Sequence, residues 1–392
     1  MRHPPRRWYW TQRELFALLN IGGAIFIASL LYNTADLNRS PSRDGCRIDL
    51  RQQTKFHPSK NRSPEKSLGP EIALLISFPN SGTSFTLRHV RSVTRFGTAT
   101  NYAKETKEVK VENYTGVIPT IQSGDCIDCP LPMPHDSDSP LPEDFVLVKT
   151  HCLGFTSQNW NETGILTSKE AFLQGCVTPY HVPSNNTAGR IKQIKSCPYA
   201  PSLVKRVVHI MRNPLDNIVS RFHLYQSNLF DAQKFGLSDL NVTADDALPR
   251  SAEGFRKYCS FKDRELANSR DLALLREFHS LVPCLSEFFL YIQWHNNAFH
   301  ATSEGVPTHF FYYEDFETNF SETSSSLIKF LHLKRSERGH VGSFQSGKSY
   351  HEYYTRNEKR EITRLVDRFA SKKTKEMLRL RYDLEQGQRK IW

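Results

Sequence analysis

What this chain lacks narrows its function first. Its 392 residues carry 52 Lys+Arg against 41 Asp+Glu, a net charge of +11, yet the cations are dispersed and not gathered into runs. That pattern argues against nucleic acid as a partner and leaves a small anionic cofactor or substrate. No internal repeat is evident, which excludes solenoids and propellers. Cys126-Ile-Asp-Cys129 has no second Cys-x-x-Cys and no His pair at ligand spacing behind it, so a disulfide or free thiols are expected there and no metal. Charge is missing altogether from residues 15–32, LFALLNIGGAIFIASLLY.

At about 1.5 Å per residue that run reaches roughly 27 Å, close to the thickness of a bilayer core. Arg2, Arg6, Arg7 and Arg13 precede it, and mixed charges (Asp36, Arg39, Arg43, Asp44) follow. The positive-inside rule then makes residues 1–14 a cytosolic tail, 15–32 a transmembrane signal anchor, and the bulk of the chain lumenal. A cleaved signal peptide is the competing reading, with Ala28-Ser29 as its available site. Residues 33–70, rich in Ser, Pro, Arg, Lys and Asn, read as a flexible stem. Acceptor sequons at Asn113, Asn161, Asn185, Asn241 and Asn319 and an even set of eight cysteines agree with an oxidising secretory compartment. Asn38 and Asn61 match as well, but proline follows each sequon.

Order is expected from Ile72 onward, and 71–392 is long enough to bury a sizeable core. Apolar runs at Ile72–Ile76, Phe145–Val148, Val204–Met211 and Thr308–Tyr313 read as strands. Helical spacing follows the first (Leu87, Val90, Val93, Phe96) and the third (Leu215, Ile218, Val219, Phe222, Tyr225). More helix is expected through Leu272–Phe278, Leu285–Phe299 and Leu327–Leu331, and one charged amphipathic helix over 358–384. Residues 226–262 read as irregular. Strands alternating with helices predict an α/β fold, a largely parallel central sheet flanked by helices.

Three of the strands end in polar sequences. Pro79-Asn80-Ser81-Gly82-Thr83-Ser84 combines a tight turn with a helix start, where unpaired N–H groups and the positive dipole end favour an anion. Gly82 allows close approach to the backbone, and the hydroxyls add donors. Lys149-Thr150-His151 ends the second strand, and Arg212-Asn213-Pro214 the third, with Ser220 about two helical turns on. In a parallel sheet such ends converge on one ligand. Plainer readings are a capped βα turn, a strand-end lysine and histidine, and a solvated arginine.

In order and spelling these pieces resemble the sulfotransferase family that uses 3′-phosphoadenosine 5′-phosphosulfate (PAPS). SFPNSGTS looks like its 5′-phosphosulfate loop, HIMRNPLDNIVSRFHLY like its 3′-phosphate segment, with Arg212 and Ser220 on the matching Arg and Ser. LVKTHC resembles its Lys-Thr-His strand end, and FFYYEDF its late Tyr-Glu-Asp strand. The resemblance spans roughly 71–384 and implies a P-loop-like fold and PAPS as co-substrate, held by Asn80, Ser81, Gly82, Thr83, Ser84, Arg212 and Ser220. It implies His151 as base and Lys149 as the cation facing the transferred group. The family usually has Lys or Arg where this chain has Asn80.

Gly342-Ser-Phe-Gln-Ser-Gly-Lys348-Ser349 matches the Walker A pattern, but no strand-like sequence precedes it and only 43 residues follow. It reads as a decoy for NTP hydrolysis, while Lys348 could serve the late basic loop that similar sulfotransferases close over the 3′-phosphate. The expectation is thus a single-pass type II membrane glycoprotein of the Golgi, with a lumenal domain that sulfates a carbohydrate hydroxyl on a glycan or glycoprotein acceptor. A tyrosyl-protein sulfotransferase and a non-catalytic nucleotide- or glycan-binding membrane protein are the alternatives.

Overall fold

The computed structural model describes residues 70–102, 131–132, 140, 142–152, 168–178, 199, 201–234, 248–267, 272–303, 305–340, 342, 344, 347 and 349–389. The anchor at 15–32, the stem up to residue 69, Cys126, Cys129, Lys348 and the sequons other than Asn319 lie outside the described residues. Among the described residues no helix is long and apolar enough to cross a membrane.

Among the described residues, six strands form one sheet in the order β3-β2-β4-β1-β5-β6. They are β1 (Glu71–Ser77), β2 (Ala99–Thr100), β3 (Leu131–Pro132), β4 (Phe145–Thr150), β5 (Val204–Met211) and β6 (Thr308–Tyr312). All neighbours run parallel except β2 and β3. The continuous apolar spelling of β1 follows from burial of both sheet faces. Ile72, Leu74 and Ile76 join the larger core, while Ala73 and Leu75 join a second one across the sheet.

Helices α1 (Thr83–Thr94), α7 (Asp315–Thr318) and α8 (Phe320–Phe330) cover the smaller core through Leu87, Val90, Phe316, Leu327 and Ile328. The larger core packs against α2 (Lys169–Cys176), α3 (Pro214–Lys234), α4 (Ala252–Ala267), α6 (Leu285–Thr302) and α9 (Arg356–Phe369), with the short α5 (Leu272–Leu275) beside them. Helix α10 (Lys372–Arg381) leads into a small antiparallel pair, β7 (Tyr382–Asp383) with β8 (Gln388–Arg389). Disulfides join Cys152 to Cys176 and Cys259 to Cys284.

Beyond strands β2, β3, β7 and β8 and helix α2, which the sequence reading lacked, the structure differs from it in four places. β4 continues to Thr150, because Lys149 and Thr150 are buried in register with Leu75 and Ile76. Helices α3 and α4 occupy much of the stretch read as irregular, and the apolar triplet Phe255, Tyr258, Cys259 at i, i+3, i+4 was the available signal. Helix α8 begins seven residues earlier than Leu327. The single helix read over 358–384 is two. Ala370 is extended and the Ser371 hydroxyl accepts from the Thr374 N–H, starting a new helix.

Candidate active site

β1 sits between β4 and β5, and its last residues are level with theirs: Ile76 opposite Thr150 on one side and His209 on the other. The chain therefore leaves all three strands at the same edge of the sheet, which brings the three polar sequences together as expected.

The loop after β1 is built from backbone turns held by side chains of the other two segments. Asn80 (φ 64°) and Gly82 (φ 93°) are both left-handed; asparagine is one of the few residues with a side chain that tolerate this conformation. The Arg212 guanidinium donates to the Asn80 carbonyl at 2.7 Å, and the Asn80 side-chain amide donates to the Ser220 carbonyl at 2.9 Å. Asn217 donates to the Pro79 carbonyl at 2.9 Å and to the Ser81 hydroxyl at 3.0 Å. Ser81 is fully buried and Thr83 nearly so, whereas Ser84 is exposed.

Gly82 has a second role. A Cβ there would stand 2.1 Å from the Tyr313 ring, so the missing side chain makes room for Tyr313, whose ring also lies 4.9 Å from the Arg212 guanidinium. Helix α1 begins at Gly82 with no side-chain cap and no acidic residue in its first turn. Its N-terminal amides and dipole are thus not offset by a carboxylate of that helix, an arrangement that favours an incoming anion.

Lys149 and His151 face this loop from β4. Lys149 is 3% exposed and its ammonium donates to the Ser84 hydroxyl at 2.9 Å. His151 Nδ1 lies 2.9 Å from the Ser77 carbonyl. A carbonyl only accepts, so Nδ1 carries the proton and Nε2 is the acceptor atom. Burial first, and then the charge of Lys149, hold the His151 pKa well below the ordinary histidine value, partly opposed by the Ser77 bond. The imidazole is therefore neutral at pH 7, the form required of a base. Its backbone is fixed on both sides: the His151 N–H donates to the Tyr102 hydroxyl at 2.6 Å and its carbonyl accepts from Trp294 Nε1 at 2.8 Å.

Loop, lysine, histidine, Arg212 and Ser220 are thus brought into one site, and Lys348 lies outside the described residues. Ser220 contributes its carbonyl to the loop. Sequence reasoning missed Asn217, Tyr313 and Tyr102. The first lies one turn before Ser220 and the second inside FFYYEDF, so both were within reach, but nothing in the sequence pointed to Tyr102. The described residues of the Walker-like segment do not show the strand–loop–helix of a P-loop: the Gly347 N–H donates to the Glu317 carboxylate at 2.7 Å, and the described residues of 332–350 include no strand or helix.

A family model described as sulfotransferase domain matches residues 70–379. Among solved structures, the chain is similar to the crystal structure of mouse sulfotransferase SULT7A1 complexed with PAP, at 13% identity and a TM-score of 0.25. That match covers 70% of this chain and 66% of the mouse one, just under two thirds of its length. No curated protein matches.

Proposed function

We propose, from the premise that this chain belongs to the sulfotransferase domain family, that it moves a sulfuryl group from PAPS to a hydroxyl, most simply one on a carbohydrate. The observation that carries the reading is the convergence of three cationic or donor-rich strand ends, seen in the Arg212–Asn80 and Lys149–Ser84 bonds at 2.7 and 2.9 Å. The donor set fits an anionic nucleotide: uncapped helix amides, a fork-shaped guanidinium and an ammonium. Bound there, PAPS supplies an activated sulfuryl group and a phosphate leaving group.

The residues have distinct parts. The α1 amides and the hydroxyls of Thr83 and Ser84 hold the 5′-phosphosulfate end, and Arg212 with Ser220 the 3′-phosphate. His151 Nε2 takes the acceptor proton as the acceptor oxygen bonds sulfur. The sulfur–oxygen bond to the 5′-phosphate breaks, and its electron pair leaves on that phosphate. Lys149 stabilises the negative charge gathering there. Negative charge bound beside Lys149 also offsets that lysine's effect on His151 and raises the imidazole's basicity toward neutral pH.

The site has no loop cation at Asn80, whose side chain is committed to Ser220. That observation favours a second reading, a nucleotide- or glycan-binding membrane protein without turnover. A tyrosyl-protein acceptor is the enzyme alternative. For location we propose a type II Golgi membrane glycoprotein, anchored by residues 15–32 with Lys348 in the loop over the 3′-phosphate. Supporting this are the uncharged apolar run, the sequons and the two disulfides.

The test is calorimetry with 3′-phosphoadenosine 5′-phosphate (PAP) on the lumenal portion, followed by labelled-sulfate transfer to a panel of glycans and a tyrosine peptide. Binding with transfer to a glycan is the expected result. Binding without any transfer supports the non-catalytic reading, and absence of PAP binding overturns the sulfotransferase activity.

A further inference from the structure

Helix α6 touches the residues that follow β1, β4 and β5 without contributing a group to the site. Glu287, Tyr291 and Trp294 stand at i, i+4 and i+7 and so share one helix face. All three are buried; Glu287 and Tyr291 bond the segment after β5, and Trp294 bonds the end of β4. The Glu287 carboxylate pairs with the Arg221 guanidinium at 2.5 Å, next to Ser220. The Tyr291 hydroxyl donates to the Arg212 carbonyl at 2.6 Å. Trp294 Nε1 donates to the His151 carbonyl at 2.8 Å. Phe78, the residue where β1 enters the loop, packs edge-on against both Tyr291 and Trp294, at 5.2 and 6.3 Å.

The helix is itself held at its start. Both oxygens of the Asp263 carboxylate on α4 accept backbone N–H groups there, from Leu285 and Ser286, at 3.2 and 3.0 Å. The Cys259–Cys284 disulfide joins α4 to the residue before α6. An end whose amides are capped by a carboxylate and whose position is cross-linked resists fraying.

We infer that α6 is a strut that sets the spacing between the base and the nucleotide-binding arginine, with Trp294 positioning His151 and Tyr291 positioning Arg212. This rests on the sulfotransferase reading above. Backbone carbonyls are the points of attachment, so the strut fixes where each side chain starts and not what it contacts. The two residues therefore govern different steps: Trp294 the chemical step through His151, and Tyr291 nucleotide affinity through Arg212. A scaffold that merely stabilised the domain would not separate them.

The experiment compares wild type, Trp294→Phe and Tyr291→Phe for melting temperature, PAP affinity, and kcat and KM for sulfate transfer across pH. Trp294→Phe keeps an aromatic ring and removes the N–H; kcat should fall about five- to tenfold with a changed pH profile, and PAP Kd should stay within about twofold. Tyr291→Phe removes one oxygen; PAP Kd should rise about five- to tenfold while the pH dependence of kcat is kept. Equal effects of both variants on binding and turnover, or a lowered melting temperature with neither kinetic change, overturns the strut. If Trp294→Phe does not fold, Tyr291→Phe decides through the same binding and pH readouts. Wild-type protein that binds no PAP is a different result, which overturns the sulfotransferase reading and the strut with it.

Discussion

The ammonium of Lys149 donates to the Ser84 hydroxyl at 2.9 Å, tying the end of β4 to the first turn of α1. It places a positive charge, from a neighbouring strand, beside the loop in which position 80 is uncharged. Replacing Lys149 by methionine keeps the apolar stem and removes the charge. Sulfate transfer should fall about 100- to 1,000-fold, with PAP affinity changing far less, because the charge matters most as the leaving phosphate develops. Single-turnover rates beside calorimetric Kd values check this; a matched loss in both would make Lys149 a binding residue only.

Arg212 should show the opposite division. It reaches the Asn80 carbonyl and stacks with Tyr313, so Arg212→Ala should abolish measurable PAP binding. Arg212→Lys, with charge but no planar fork, should bind with intermediate affinity. Equal affinities for lysine and wild type would show that charge alone is recognised.

Asn80 is asked for by geometry: a left-handed residue whose amide bonds Ser220. Asn80→Ala loses that bond and strains the turn, at a cost of about 1–2 kcal/mol in unfolding free energy by urea titration. Asn80→Lys should lose similar stability yet raise the rate of transfer if the enzyme reading holds. An unchanged or lower rate would mean that Lys149 already supplies the charge that the loop lacks.

Burial lowers several histidines. His209 is pushed down to about 3 by burial alone, and His89 to about 4 by burial and then by Arg335. The unfolded chain, with histidines near their ordinary value of about 6.5, binds more protons below that pH. Stability is thus complete above about pH 6.5 and falls as pH drops toward 4 and 3, on the order of 1.4 kcal/mol per pH unit for a fully buried imidazole. Urea titrations at pH 7.5, 5.5 and 4.5 should show a shallower slope for His209→Phe than for wild type. Identical slopes would remove His209 as a contributor.

The Cys152–Cys176 disulfide begins one residue after His151, at a left-handed Cys152 (φ 47°). Cys152→Ser should lower kcat and leave PAP affinity within about twofold, since Arg212 follows another strand, β5. A variant with full kcat would show that Tyr102, Trp294 and Ser77 suffice to hold the histidine.

By itself the sequence determined the parallel α/β sheet, its central strands, and the order of loop, Lys-Thr-His and Arg-Asn-Pro segments. Each of these is written in a local period or in a short run of neighbouring residues. The tertiary structure alone decided what those residues do to one another. Tyr313 fills the space left by Gly82, Asn80 turns away to Ser220, Lys149 reaches Ser84, and one face of α6 joins His151 to Arg212. Each of these contacts links residues 65 to 231 positions apart in the chain, across strands whose register is set by burial of both sheet faces. No local pattern encodes such a distance, so the site's parts and their convergence at the strand ends were legible in the chain and the contacts between them were not.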